Sequence, residues 1–301
     1  MIVRDLPTTS RLFFVTQGSV VPKIIGKIFG VALISAIALL VDRFLIEIPR
    51  VSISAMSVFG IALSLFLGFR NNAAYERWWE ARKLWGSIIA DVRCLGRDSL
   101  IFIKNDASRK EFVSLSVAFA HFSRGGLRRA DVSEDILKWI DEEEFKSLSG
   151  HQNPPDATLR SMATTISNAI DKDEISNVGQ LRISSTLSSL GNAQAGCERI
   201  SSTPLPFVYS LLIRRTTYLY CWLLPFALVE AASWLTPIFT AVVGYVFFGL
   251  QEVTHELENP YSNAQNGLPL DAMCRTIEIS ASEALKMTPP DILEPKSYVL
   301  T

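Results

Sequence analysis

"GFRNNAAYERWWEARKLWG", residues 68–86, is the stretch that decides the fold. Directly upstream, Val51 to Phe69 runs for nineteen residues without a charge. At Arg70 the character flips to Arg, Asn, Glu and large aromatics, with no proline or turn cluster between. A bilayer core takes ~20 predominantly apolar residues of helix, so 51–69 reads as a span. The charged half keeps a helical spacing of its own. Trp78, Ala81 and Trp85 share one face, Tyr75 and Trp79 another, and Arg82 follows Trp78 by one turn, within cation–π reach. An interfacial aromatic belt accounts for part of this. Trp85, however, lies ~24 Å beyond Phe69 at 1.5 Å per residue, too deep for a belt alone. The sequence therefore predicts one continuous helix that leaves the bilayer and enters a folded aqueous body.

Three further spans follow from the same length rule. Residues 24–41 are apolar, with Lys27 close enough to the start to snorkel. From Thr216 to Leu250 the single charge is Glu230, and Pro225 and Pro237 punctuate the run. That length is too great for one crossing, so it divides into 216–229 and 234–250, turning near "EAASWL". Composition agrees: 20% of residues are charged, below the usual ~25%, and the mean hydropathy is +0.24. The expectation is an all-α, polytopic membrane protein with four spans in one bilayer-embedded subunit and a large helical cytoplasmic region, residues 71–215 and 251–301. Lys and Arg near the span ends set orientation. Arg11, Lys23 and Lys27 precede the first, Arg70, Arg77, Arg82 and Lys83 follow the second, and Arg214 and Arg215 precede the third. The loop between the first two spans has only Arg43 and Arg50, and the turn before Trp234 has neither residue type. Both termini are expected in the cytoplasm, with the chain multi-pass in the inner membrane. The N-terminal stretch has no apolar core ending in a cleavage site.

Between the spans the pattern is helical. Phe112 to Phe122 carries no Asp, Glu, Lys or Arg and reads as buried. "SEDILKWIDEEEFKSL" opens on Ser133 as one helix, and "NPPDATLRSMATTISNAI" puts Leu159, Met162, Ile166 and Ile170 on one face. "LRISSTLSSLGNAQAGCERI" is a helix of small polar residues, suited to tight packing or to a wet lumen.

Most chemistry is excluded. His121, His151 and His255 have no metal-ligand spacing, and neither HExxH nor a phosphate loop is present. "HELE" at 255–258 places His255 and Glu258 on one helix face and reads as a solvated helix end. Cys94, Cys197, Cys221 and Cys274 are scattered without a CxxC and read as reduced thiols. A net charge of −1 argues against a nucleic-acid partner. No catalytic residue, metal site or cofactor is expected.

The second span carries a pattern. Ile61, Leu65 and Phe69 recur every turn as an apolar stripe, and Gly60, Ser64 and Gly68 form the neighbouring stripe of small residues. Small residues one turn apart let another helix approach closely, and an ordinary lipid-facing span with one packing face fits the same spacing.

These residues also carry a resemblance. "GIALSLFLGFRNNAAYERWWEARKLWG", "AGCERISSTPLPFVY" and "ELENPYSNAQNGLPLDA" resemble the bestrophin family in its prokaryotic branch, over nearly the whole chain. The resemblance implies a homopentamer around a central pore that conducts monovalent ions passively, with four membrane helices per subunit. It places the family's hydrophobic neck on Ile61, Leu65 and Phe69, and its Arg-Trp-Trp on Arg77, Trp78 and Trp79. A second constriction about sixteen residues before Cys197 falls on Leu181, with Val178 or Ile183 fitting a small shift. Animal members clasp Ca²⁺ with acids after the Asn-Pro-aromatic motif. Here Asn259-Pro260-Tyr261 is followed by no carboxylate until Asp271, so no such clasp is expected. The sign of the permeant ion stays open, since Lys plus Arg and Asp plus Glu between Arg70 and Arg199 number eighteen each. A membrane-bound enzyme lacks a reactive cluster. A non-conducting scaffold or partner-gated subunit is the alternative.

Overall fold

The computed structural model describes residues 1–4, 8 and 15–301; Arg11, used above for orientation, lies outside the described residues. Among the described residues the named elements are helices: α1 (Val21–Phe44), α2 (Ile53–Phe102), α3 (Asp106–Arg128), α4 (Ser133–Ile136), α5 (Glu142–Ser149), α6 (Pro154–Asp171), α7 (Asn177–Ser202), α8 (Phe207–Ala232), α9 (Thr236–Glu258) and α10 (Leu270–Ala284). The protein is all-α and membrane-embedded. The chain forms two compact units: a span unit, Asp5–Trp78 with Pro204–Asn259, and a helical unit, Met1–Arg4 with Trp79–Thr203 and Pro260–Thr301.

The helix of 50 residues, α2, is unbroken from Ile53 to Phe102. The charged aromatic segment therefore continues the apolar one, because nothing in 68–86 removes a backbone donor or requires a positive φ. Helices long and apolar enough to cross a membrane are Val21–Phe44, Ile53–Phe102 and the run Phe207–Glu258. That last run folds back on itself. A short 3₁₀ turn over Ser233–Leu235 follows Ala232, and Ser233 takes φ 46°. Gln251 Nε2 then donates to Thr217 Oγ1 at 2.7 Å, and Tyr220 meets Phe247 edge-on at 5.3 Å between ring centroids. These pairings require α8 and α9 to run antiparallel. The core of the span unit is Met56, Leu63 and Leu67 from α2 against Ile213, Tyr220, Leu224 and Ala227 from α8. Ile24 and Val31 of α1 pack on Cys221 and Phe248.

In the helical unit, α3 buries Phe112 through Phe122 as the uncharged run predicts. The expected single helix from Ser133 instead divides into α4 and α5. Asp141 is the cause: its side chain accepts from Glu144 N at 2.8 Å and opens a new helix. On α6, Met162 and Ile166 are buried and Leu159 and Ile170 are half-buried, as their shared face requires. Helix α7 uses its small residues on two sides. One face packs, with Ile183, Leu190, Cys197 and Ile200 buried and Gly196 set so close that a Cβ there would come 2.8 Å from Leu84 Cδ1. The opposite face leaves Ser184, Ser185, Ser188 and Asn192 exposed.

Among the described residues, the buried ionisable side chains of this unit are paired. His121 Nε2 lies 2.9 Å from Glu278 Oε1, and Arg124 bonds both Asp135 at 2.6 Å and Asp271 at 3.1 Å. Burial opposes ionisation of Asp135, but hydrogen bonds from Lys138 and Arg124 outweigh it and hold the carboxyl down at about 2, from an ordinary 3.8. A pKa lowered by folding adds stability above the unfolded value, and the gain is lost as pH falls through the folded one. Asp135→Asn is therefore expected to cost about 1 kcal/mol at pH 7, after allowance for solvent screening of this partly exposed group. The gap should close as pH falls from about 4 towards 2. Circular-dichroism melts in detergent across that range test it, and a pH-independent gap would rule out this source.

Candidate functional site: an apolar stripe and its groove

On α2 the large apolar residues divide between two sides. Leu63 and Leu67 point into the core, whereas Ile61 is 71% exposed and Leu65 and Phe69 are each 56% exposed. Beside this stripe lies a groove of ≈ 770 Å³ lined by Gly60, Ser64, Gly68 and Asn72 of α2, Tyr220 of α8, and Val242 and Val246 of α9. The three stripe residues line it too. The small-residue stripe is not uniform within it. A Cβ at Gly60 would come 2.7 Å from Tyr220 Oη, so this position is spent on the chain's own α8. At Gly68 nothing lies within 4 Å, and Ser64 is exposed, so that end of the stripe is open.

Immediately beyond Phe69 the charge is organised. Arg70 Nη2 lies 2.7 Å from Glu258 Oε1, with side chains only 7% and 15% exposed. Arg77 Nε donates to the Glu258 carbonyl at 2.8 Å. This corrects the reading of "HELE" as a solvated end. His255 is exposed, but Glu258 serves two arginines. A partial signal for this pair was present, since Arg70 closes the apolar run of α2 and Glu258 lies in the charged turns that follow the apolar run of α9. Lys23 similarly holds Glu256 at 2.8 Å and Glu252 at 3.4 Å. The groove walls from Tyr220, Val242 and Val246 carried no such sequence signal.

On α7, Leu181 is 74% exposed and Val178 68% exposed, whereas Ile183 is fully buried. Ile183 is therefore removed from the alternatives for a second constriction. Asp98 takes Arg182 at 3.1 Å beside that exposed face. After α9, Leu268 N donates to the Pro260 carbonyl at 2.8 Å and closes the loop on itself. The first carboxylate after Tyr261, Asp271, is held by Arg124 at 3.1 Å and Arg128 at 2.9 Å. Among the described residues no three His, Cys, Asp or Glu side chains group as a metal site.

A family profile described as "Bacterial/Fungal Bestrophin protein" matches residues 1–283. The chain is 42% identical over 299 residues to a voltage-dependent anion channel-forming protein of Mesorhizobium japonicum, covering 99% of this chain and 96% of that one. Against the voltage-dependent anion channel-forming protein YneE of Escherichia coli K12 it is 34% identical over an alignment of 307 residues that covers 100% of each chain. The crystal structure of a bacterial bestrophin homolog from Klebsiella pneumoniae superposes with a TM-score of 0.83 at 32% identity. That match covers 88% of this chain and all of the other.

Proposed function

Because the chain belongs to the bestrophin family of bacteria and fungi, a channel family and not an enzyme family, we propose that it is a homopentameric, passive anion channel of the inner membrane. Five copies of α2 set Ile61, Leu65 and Phe69 around a narrow apolar neck, and Leu181 rings a second constriction on the cytoplasmic side. Lipid, permeant monovalent ions and copies of the chain itself are its partners.

The observation that carries this reading is the stripe with its groove. Large apolar side chains stand exposed on one side of a span, next to an exposed Ser64 and to Gly68 with open space above it. A helix turned only to lipid gains nothing from that pairing, whereas one turned to copies of itself gains close approach. A ring of apolar side chains without polar groups then sets an ion barrier by its radius and by its wetting. For the anion sign, the support is the function carried in the relatives' names.

The topology has support of its own. Val3 N donates to the Tyr298 carbonyl and Leu300 N to the Met1 carbonyl, each at 2.9 Å, so the two termini pair with each other. Paired termini share a side of the membrane, and the Lys and Arg at the span ends make it the cytoplasm.

Purified protein in planar bilayers under asymmetric KCl tests the proposal, with native mass spectrometry on the same sample. The expected result is a fivefold mass and a current reversing towards the chloride equilibrium potential. A stable monomer or dimer overturns the assembly. An intact pentamer that passes no current in any salt supports the scaffold or partner-gated alternative.

The two glycines separate folding from assembly. A Cβ at Gly68 meets nothing of its own chain within 4 Å, so Gly68→Leu is expected to leave the melting of isolated subunits unchanged while dispersing the pentamer. Gly60→Leu drives into Tyr220 and is expected to cost about 1–3 kcal/mol as an overpacked core position. Gly68→Leu pentamers of undiminished stability on native mass spectrometry would remove this position from the subunit contact.

A further inference from the structure

The face of α2 that bears the stripe does not end at Phe69. At about 100° per residue, Asn72 and Glu76 fall within the same sector of about 80° as Ile61, Leu65 and Phe69. Asn72 lines the groove, and Glu76 is exposed. Among the described residues no hydrogen bond or ion pair reaches the Glu76 carboxylate. The two arginines that flank it occupy the opposite side of the helix, roughly 160–180° from Ile61 by the same count. Arg70 is spent on the Glu258 carboxylate at 2.7 Å, and Arg77 donates to the Glu258 carbonyl at 2.8 Å. The segment that looks basic in sequence therefore presents an acid beside the stripe.

We infer that Glu76 is a selectivity-determining residue: five copies of its carboxylate ring the mouth of the neck, enriching cations there and repelling anions. The inference rests on the pore assignment proposed above. A one-signed ring at a constriction with low-dielectric walls focuses its field, and acidic rings favour cations. Glu76 is ~10 Å of helix rise beyond Phe69, about one Debye length at physiological salt, so its field reaches the neck. The next charge in the sector, Lys83, is ~10 Å further along the helix and is screened from it. Glu76 thus works against anion passage, and the channel's anion preference is smaller than its neck alone would give.

Reversal potentials in asymmetric salt measure this on the full-length protein, for wild type, Glu76→Gln and Glu76→Lys. The anion-to-cation permeability ratio is expected to rise about tenfold in the Gln variant, at the low end of the local-concentration effect of a one-signed cleft. It should rise further in the Lys variant, and both differences should shrink at high ionic strength. Because no described residue pairs with the side chain, both variants are expected to melt and assemble as wild type. Should the Lys variant not assemble, the Gln variant decides alone. Currents from the variants that reverse at the wild-type potential overturn the inference while leaving the pore intact. Silence from wild type and from the neck-widened Phe69→Ala variant alike defeats the pore assignment itself, and the role of Glu76 with it.

Discussion

Phe69→Ala is expected to raise single-channel conductance about tenfold, the equivalent of ~1.4 kcal/mol off the barrier to ion passage. The stripe offers an ion no polar group, so in the proposed neck an ion would shed hydration without replacement, at a cost that depends steeply on radius. In the proposed pentamer, truncating five copies of Phe69 at once is expected to admit water to the ring. Ile61→Ala and Leu65→Ala should act in the same direction on the rings beside it, whichever ion sign passes. Single-channel recording of the three variants checks the assignment. The exposure of these side chains at 71%, 56% and 56% is equally available to lipid. Unchanged conductance in all three would place the stripe against acyl chains and end the neck reading.

Arg70→Ala or Glu258→Ala is expected to destabilise the protein by about 3–5 kcal/mol, because each leaves the partner charge buried and unpaired. In a chain of this size that corresponds to a fall of about 5–8 °C in Tm. The contact at 2.7 Å, with both side chains mostly buried, distinguishes this pair from exposed pairs such as Lys146 with Glu142. Exposed pairs are worth about 0–1 kcal/mol. The double change Arg70→Met with Glu258→Leu removes both charges and should recover most of the loss, since buried ion pairs seldom outperform apolar replacements of similar volume. Thermal melts of the four proteins in one detergent decide it. Single variants that cost under about 1 kcal/mol would show the pair to be effectively solvated.

Local features of the sequence determined a great deal here. Uncharged length fixed the span-forming runs, and the absence of a breaker between Phe69 and Trp85 fixed α2 as one helix. The every-turn spacing of Ile61, Leu65 and Phe69 is enough by itself to put them on one face. Each of these follows from rules that act within a few turns: hydrophobic length, helical period, and backbone donors. The tertiary structure decided what those rules cannot reach. Gly60 and Gly68 are equivalent in sequence, yet Tyr220, 160 and 152 residues away, fills the space at one and not the other. Counting back from Cys197 points to Leu181 and leaves Val178 and Ile183 a small shift away, and packing of α7 buried only Ile183. Charge separates the two levels most clearly. The composition around residue 70 reads as basic, but the fold turns Arg70 and Arg77 to Glu258 and leaves Glu76 beside the stripe. A sequence gives each residue its formal charge, and only the pairing of segments nearly two hundred residues apart decides which charges are paired off and which stay exposed.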